Sequence, residues 1–390
     1  MKIAFISRVN LESTRTNVYN FSKTCEAINA TKGFQTVFVT TDQKKDTTAF
    51  FDRMGIHAPF EVVTLAATDT TNSRGGSMWH EIIAFSSANL HLAEYLFKKR
   101  KEIDAVYFRD ESLFLVAHFA RGFLNKKVFF EIHSVYEKKL RQFKNTFSVW
   151  VSNGVVAISS GLKRHYQRIN KNIIVSLCSA AEESWFDHSK SKEEFRKELH
   201  LPLDTYIIGY IGVVGINPNN DYYEIDDVIR SLKSLSKDTL FVIGGELNQN
   251  GEWLRTVAKE AGVSDRVLIL PWMERKMVSK YLQAFDVHVI PKRKKDLVGD
   301  SPAKMFPSLA SKRPIVAGRA ESIQEVLTDG YDAHIVKTNE PHGWAQALSE
   351  VRENSALTET IVRGAEITKT KYTWEKRGEN IGDFIKNTNA

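Results

Sequence analysis

The sequence has few cysteines and no long apolar run. Its 390 residues contain two cysteines, Cys25 and Cys178, which lie far apart and lack metal-ligand spacing. This pattern predicts buried thiols in a reducing compartment and excludes a disulfide framework. No apolar run approaches the roughly 20 residues that span a bilayer. The apolar N-terminus, residues 2–7, is too short for a signal peptide, and we interpret it as a first core strand. We therefore expect a cytoplasmic protein.

Several motifs of catalytic and binding sites are also missing. The chain has no Asp-x-Asp pair, no His/Cys ligand cluster, no nucleophilic triad and no Walker phosphate loop. We therefore expect no metal ion and no cofactor, and without a recognised module we expect no nucleic-acid partner. The net charge of +7 and the pI of about 9.1 favour anionic partners, such as nucleotide phosphates or anionic lipids.

The chain does contain a regular alternation of short β-branched runs with longer helical patterns, such as 81–99 and 113–123, which is typical of parallel α/β folds. The pattern restarts after a charged and polar segment, 187–202, which we interpret as a linker with room for a short surface helix. The sequence therefore predicts two doubly wound domains, at 1–187 and 204–371, with ligands beyond the carboxyl ends of the strands. The predicted strands are 2–7, 35–40, 61–65, 105–108, 127–131, 154–158, 173–177, 206–211, 240–243, 267–270, 287–290, 314–317 and 333–336.

A series of segments, taken in chain order, shares the pattern of one family. In the first half they are AVYFRDESLF, KKVFFEIHS and VVAISSGLKRHY. In the second half they are IIGYIGVVG, the stretch from LFVIGGELN to LILPWM, YLQAFDVHVIPKR, DSPAKMFPSLASKRPIVA and KYTWEKRGENI. Together these segments resemble the retaining glycosyltransferases of family 4.

The resemblance implies the α/β architecture called GT-B, in which two doubly wound Rossmann-like domains face each other across a cleft. The C-terminal helix, within 372–390, would return to the N-terminal domain. The implied activity is that of a metal-independent, hexosyltransferase-type enzyme, which transfers a sugar with retention from a nucleotide-diphosphate donor such as a UDP-sugar. The donor would bind the C-terminal domain, and a saccharide or glycolipid acceptor would bind the N-terminal domain. A role in surface polysaccharide or glycolipid synthesis follows by analogy.

The segment Ser301-Pro302-Ala303-Lys304 follows a predicted strand and has the pattern of a helix start. By resemblance to the family, this helix start would bind the donor diphosphate, with Lys304 one turn into the helix. In the cationic run PKRKKD just before it, Lys292 or Arg293 would stabilise the leaving phosphate. An ordinary capped helix and a solvated cationic run are the alternatives.

Three candidates follow strands of the first half. His133 ends the strand FFEIHS, and its match to the family's Glu-x-His pattern implies contact with sugar hydroxyls, while Glu131 would orient the local backbone. A structural histidine is the alternative. Arg109 would either face the cleft or pair internally. Arg15 lies in the first loop, 10–20, and would either reach a phosphate or stay in solvent.

Glycines and large apolar side chains follow strands of the second half. Gly212, Gly215 and Gly244 would allow close approach of a ligand, or would form tight turns. Trp272 and Met273 lie where the family lines its base pocket, and core packing is their alternative.

Three features depart from the family pattern. Gly299 and Pro307 replace a Glu-x7-Glu pair, which leaves Asp300 as the candidate to accept a hydrogen bond from the ribose. Neutral residues, Val213 and Asn219, stand where a basic pair is common, and the first loop has no glycine. These departures motivate an alternative function, a catalytically degenerate GT-B protein that acts as a binding or scaffold partner of another glycosyltransferase.

An amphipathic segment near residue 140 bears on whether the protein associates with a membrane. Tyr136, Leu140 and Phe143 would share one helical face, with cations beside it and with Phe147 and Trp150 nearby. A second basic cluster, KKRK, occupies 98–101. The pattern predicts either an interfacial helix on an anionic membrane surface or a solvated helix that covers the core. The first alternative would place the protein peripherally on the inner membrane face.

Overall fold

The computed structural model describes residues 1–42, 46–67, 78–177, 179–180, 183–214, 225–245, 250–292 and 303–389. These residues divide into two compact units, each built on its own parallel sheet. Every strand predicted from the sequence is present, and the strand ends differ from the prediction by at most two residues. None of the described helices is long and apolar enough to cross a membrane.

The first unit contains a seven-stranded parallel sheet with the order β3-β2-β1-β4-β5-β6-β7. Its strands are β1 (Lys2–Ser7), β2 (Gln35–Thr40), β3 (Glu61–Thr64), β4 (Ala105–Phe108), β5 (Lys127–Ile132), β6 (Gly154–Ala157) and β7 (Ile173–Val175). Its first six helices are α1 (Thr16–Ala30), α2 (Thr47–Met54), α3 (Met78–Lys98), α4 (Phe114–Gly122), α5 (Lys139–Val151) and α6 (Ser160–Tyr166). Strands such as β4 are buried along their whole length because helices cover both faces of the sheet.

The second unit contains a six-stranded parallel sheet with the order β10-β9-β8-β11-β12-β13. Its strands are β8 (Tyr206–Ile211), β9 (Thr239–Gly244), β10 (Val267–Ile269), β11 (Val287–Ile290), β12 (Ile315–Ala317) and β13 (His334–Ile335). Its helices are α7 (Lys192–Glu198), α8 (Ile225–Ser231), α9 (Gly251–Glu260), α10 (Arg275–Ala284), α11 (Met305–Ala310), α12 (Glu321–Gln324), α13 (Pro341–Glu353) and α14 (Ser355–Lys369). In both sheets the strand order reverses beside the first strand of the unit, β1 or β8, and ligands of doubly wound folds bind at such points.

The last helix, α15 (Trp374–Asn387), belongs to the first unit and packs against α1. Its apolar side chains Trp374, Ile381 and Ile385 recur at intervals of seven and four residues and are all buried. The chain therefore returns to its first unit after it has passed through the second.

The charged segment 187–202 contains the short helix that the sequence suggested, α7, but it is part of the second unit, so its interpretation as a linker was wrong. Ser191 and Glu194 form a capping box at the start of α7. Arg196 is 2% exposed, and its guanidinium donates to the Asp286 carboxylate at 2.5 Å and to the Ala284 carbonyl at 2.9 Å. A buried arginine needs such partners, and they fix α7 against α10 and β11.

Helix α5 begins later than its amphipathic pattern suggests. Tyr136 precedes the helix, and its backbone N–H donates to the Gln142 side chain at 2.7 Å. Lys138 is the N-cap residue and has an extended backbone, so the prediction that placed Tyr136 on the helical face was wrong. Leu140 and Phe143 do lie on α5, and their side chains are 69% and 57% exposed.

Candidate active site

A lysine ammonium is held at the carboxyl end of the second sheet. Lys304 Nζ donates to the hydroxyl of Tyr210 at 2.6 Å and lies 4.5 Å from the centre of the same ring. Tyr210 is buried on β8, and its hydroxyl donates to the carbonyl of Val213 at 2.8 Å. A Cβ atom on Gly212 would lie only 3.2 Å from Lys304 Nζ, so the glycine provides space for the ammonium group. The sequence contains no signal that points to Tyr210.

Lys304 lies directly before a helix and not one turn inside it, which corrects the prediction from the Ser-Pro pattern. Helix α11 begins at Met305, and Lys304 is its N-cap residue, without a side-chain capping bond. Pro307 falls in the first turn of α11, where its missing N–H is not needed by the helix. The position that carries an acidic residue in the resembled family is thus occupied by a residue that cannot accept a hydrogen bond through its side chain.

Glycines bring the ends of β8 and β9 into backbone contact. The N–H of Gly212 donates to the carbonyl of Gly244 at 2.9 Å. Gly245 has a φ of +114°, and a Cβ there would lie 2.3 Å from the carbonyl oxygen of Gly212. A Cβ on Gly244 would lie 2.8 Å from the terminal methyl group of Met273. These glycines are needed for packing within the strand ends, and this packing forms the surface beside Lys304.

Replacing Gly245 with alanine is expected to lower the free energy of unfolding by at least about 2 kcal/mol, since both the positive φ and the Gly212 carbonyl oppose a Cβ atom. The matched control is Gly251→Ala at the start of α9, where a Cβ meets nothing within 4 Å. The control should stay within about 1 kcal/mol of the wild type. Urea denaturation measures both variants, and equal effects would contradict this description of the strand ends.

The two candidates for the base pocket differ in their surroundings. Met273 is half-buried and packs against the core of the second unit, as its alternative interpretation states. Trp272 is 57% exposed, which excludes core packing for this side chain. Both lie in the loop after β10, beyond the same edge of the sheet as Gly244.

Lys292 follows β11 and is fully buried, which excludes the alternative of a solvated cation for this residue, while its predicted contact with the leaving phosphate stays a prediction. A Cβ on Gly318, at the end of β12, would lie 2.2 Å from the carbonyl oxygen of Lys292. The backbones of the two strand ends therefore lie close together at Lys292. Gly215, Arg293, Asp300 and Ser301, together with Asn219 and Gly299, lie outside the described residues, and their predicted roles stay predictions.

In the first unit, His133 belongs to a buried network at the carboxyl end of β5. Its Nε2 atom lies 2.6 Å from one carboxylate oxygen of Glu131, which is fully buried. The other oxygen accepts hydrogen bonds from the Tyr107 hydroxyl at 2.5 Å and from the Arg377 guanidinium at 2.7 Å. Arg377 lies on α15, so Glu131 holds the last helix as well as the histidine. Glu131 was expected to orient the local backbone, but its carboxylate forms hydrogen bonds with the side chains of His133, Tyr107 and Arg377.

This network sets the protonation state of His133. Burial opposes ionisation of Glu131, but the charge of Arg377 and the hydrogen bond from His133 hold the pKa of that carboxyl well below its ordinary value. Burial, aided by the positive charge of Arg109, lowers the pKa of His133 to about 4. His133 is therefore neutral at pH 7. Because ionised Glu131 can only accept, the proton lies on Nε2 and leaves Nδ1 as an acceptor. Within the described part of the chain, Nδ1 has no hydrogen-bond partner.

Acidification is expected to destabilise the protein through His133. The unfolded state binds the proton near pH 6.5, whereas the folded state binds it only near pH 4, so the free energy of unfolding decreases as the pH falls through this window. Protonation of His133 in the unfolded state lowers the free energy of unfolding by about 2 kcal/mol at pH 5, relative to neutral pH. Urea denaturation at pH 7 and pH 5 should show a smaller pH effect for His133→Asn than for the wild type. The exposed residue His342 provides the control, His342→Asn, which should follow the wild type; parallel curves for wild type and His133→Asn would contradict the assignment.

The two arginine candidates lie at the same edge of the first sheet as His133. Arg109 follows β4 and donates to the backbone carbonyl of Asn17 at 2.7 Å, in the first turn of α1. No carboxylate pairs with Arg109 among the described residues, so the predicted internal ion pair is absent there. Arg15 is exposed and is the N-cap residue of α1. Which of these cations meets a ligand stays a prediction.

Comparison with known proteins relates this geometry to established families. Residues 206–354 match the model of the family Glycosyl transferases group 1. The D-inositol 3-phosphate glycosyltransferase of Xylanimonas cellulosilytica is 24% identical over 189 residues, which are 48% of this chain and 43% of that protein. The lipopolysaccharide core biosynthesis glycosyltransferase LpsD of Rhizobium meliloti is 26% identical over 178 residues, which are 45% of this chain and 48% of that protein. The chain spans less than half the length of the curated relatives it matches.

A solved structure shows the same fold. Anabaena HepE in complex with UDP and glucose aligns with a TM-score of 0.74 and 13% sequence identity, over 99% of this chain and 100% of that chain. The predicted architecture of two doubly wound α/β domains is confirmed, and the protein has the GT-B fold. The match of residues 206–354 to the Glycosyl transferases group 1 model agrees with the resemblance found in the sequence.

Proposed function

We propose that the protein transfers a sugar from a nucleotide-diphosphate donor, with UDP as the nucleotide, to an acceptor hydroxyl. The observation that carries the proposal is the ammonium group of Lys304, held 2.6 Å from Tyr210 at the carboxyl end of the second sheet. A fixed cation there would bind the donor diphosphate and stabilise the charge that develops on it as the glycosidic bond breaks. The complex of HepE with UDP and glucose supports UDP as the donor nucleotide.

The proposed transfer retains the configuration, as the resemblance to a retaining family implies, and His133 would orient the sugar. Its Nδ1 atom would accept a hydrogen bond from a sugar hydroxyl. With a pKa of about 4, His133 is a weak base at pH 7, so we assign deprotonation of the acceptor hydroxyl to the departing phosphate. Gly212 and Gly244 would shape the surface beside the diphosphate, and the exposed ring of Trp272 would stack on the base. Neither a metal ion nor a cofactor other than the nucleotide sugar takes part in this proposal.

The proposal also includes an acceptor and a location. The acceptor is a saccharide or a glycolipid in surface polysaccharide synthesis, which the name of LpsD supports. The location is the cytoplasm, at the inner face of a membrane. Cys25 is a free and fully buried thiol, which is compatible with a reducing compartment.

A panel of nucleotide sugars tests the proposal. Thermal shift with UDP-, GDP- and ADP-sugars should select a UDP-sugar, and nucleotide release should follow when an acceptor is present. Activity should persist in excess EDTA, and the anomeric signals of the product should show retention. Nucleotide release at background for every donor, from folded protein, would contradict the proposal.

A binding or scaffold role is the second candidate, and Pro307 favours it. This residue stands in the first turn of α11, where the resembled family carries an acidic residue. A degenerate protein would show no rise in melting temperature with UDP, and Lys304→Ala would then change nothing. The same thermal-shift experiment therefore separates the two functions.

A further inference from the structure

Three helices form one continuous layer on the first unit, which we call the outer helical layer: α3, α4 and α5. They follow β3, β4 and β5 in the chain, and α4 packs against both of the others. Aromatic contacts join them, with ring centres 6.1 Å apart for Phe85 and Phe114 and 5.4 Å apart for Phe114 and Phe147. The inner side of the layer covers the sheet. Because the three helices pack side by side, their outer sides form one continuous surface.

The outer side of this layer is apolar to an unusual degree. On α5, Leu140 and Trp150 are 69% and 58% exposed, and Phe123 at the end of α4 is 70% exposed. Single exposed apolar residues are common, but a cluster of large ones marks an interaction surface. Other large apolar side chains exposed on the layer are Trp79, Ile82, Ile83, Leu90 and Phe97 on α3, Leu115 on α4 and Phe143 on α5.

The charges on α4 and α5 have one sign, although α3 carries Glu81 and Glu94. Helices α4 and α5 contain no acidic residue, whereas α5 carries Lys139, Arg141 and Lys144. Among the residues described, Lys139 and Lys144 have no carboxylate partner. The Lys144 ammonium lies 4.9 Å from the centre of the Phe85 ring, so cation and apolar surface are immediate neighbours. This combination is typical of helices that lie in the interface of an anionic bilayer.

We infer that the outer helical layer docks on an anionic lipid bilayer. Leu140, Phe143 and Trp150 enter the interface, and Lys139 and Lys144 meet the headgroup phosphates. A second copy of this chain is a poorer partner, because a two-fold contact through α4 and α5 would bring their cations against each other. The inference deepens the membrane location in the proposed function and rests on it for its biological meaning.

Vesicle co-sedimentation of the full-length chain tests the docking surface. The protein should bind vesicles of phosphatidylcholine with phosphatidylglycerol, bind phosphatidylcholine alone much more weakly, and lose affinity as salt is added. The variant Leu140→Ser/Phe143→Ser/Trp150→Ser should bind at least about tenfold more weakly. Lys139→Gln/Lys144→Gln should lose about 25-fold on anionic vesicles, or about fivefold for each cation. The matched control is Leu203→Ser/Leu268→Ser, two exposed apolar residues of the second unit, which should bind as the wild type does.

Several outcomes would overturn the inference. Failure of the wild-type protein to bind anionic vesicles would overturn it. Variants of the layer that bind as tightly as the wild type would also overturn it. A dimer in solution that the triple serine variant dissociates would assign the layer to a second copy. The replaced residues are exposed, except for the partly exposed Lys144, so melting temperatures should stay near the wild-type value and report a folding failure if it occurs. UDP binding is measured separately on the same proteins, so lipid docking and sugar transfer can fail independently.

Discussion

Replacing Lys304 with alanine is expected to abolish the rise in melting temperature with UDP and to lower kcat/KM by about 100- to 1,000-fold. The ammonium group is fixed in advance by Tyr210 and by the space at Gly212, so it needs little reorganisation to meet a diphosphate. Its contribution should grow as charge develops on the leaving group, which predicts a larger loss in kcat than in substrate binding.

The control for this prediction is Lys337→Ala, because Lys337 is an exposed lysine of the same unit whose Nζ lies 3.9 Å from Glu350. It has the same change in side chain and charge, and it should keep both the thermal shift and the activity. Tyr210→Phe provides a second comparison, since it removes the hydrogen bond but keeps the ring under the ammonium. For Tyr210→Phe we expect kcat/KM to fall by about tenfold, which lies between the values for Lys337→Ala and Lys304→Ala. Equal activity of Lys304→Ala and Lys337→Ala would contradict the role of Lys304.

The largest effect on stability is expected at Arg377. Replacing it with methionine should lower the free energy of unfolding by about 3–5 kcal/mol, because ionised Glu131 then lacks its buried cation. Arg377 also donates to Thr24, to Ser176 and to the carbonyl of Leu177, so α15 loses its main polar attachment to the first unit. Urea denaturation gives the free energy directly.

Two further variants show whether the pairing itself is responsible. Arg363→Met replaces an exposed arginine on α14 and should change the free energy of unfolding by less than about 1 kcal/mol. The double variant Glu131→Gln/Arg377→Met removes both charges and should lose less than the sum of the single variants. If the two single losses add, Glu131 and Arg377 do not interact as described.

The strands and their burial could be predicted from the sequence because continuous apolar runs between helical patterns fit few structures other than buried parallel strands. The strand ends of β8 and β9 could be placed for the same reason, together with Gly212 and Gly244. Contacts between distant parts of the chain could not be predicted. Tyr210 and Lys304 are 94 residues apart, and Glu131 and Arg377 are 246 residues apart, so no local pattern links them.

Two charged segments differ from what their composition suggests. A solvated run was the alternative for the cations after β11, yet Lys292 is fully buried. The charged segment 187–202 suggests a linker, yet Arg196 finds the Asp286 carboxylate inside the second unit. Charged residues indicate surface only when no distant partner compensates their burial.

The decisive measurement is a crystal structure of the protein with UDP. The diphosphate should lie at the carboxyl ends of β8 and β9, with a phosphate oxygen within hydrogen-bond distance of Lys304 Nζ. A nucleotide bound elsewhere, or a diphosphate directed away from Lys304 into solvent, would contradict it.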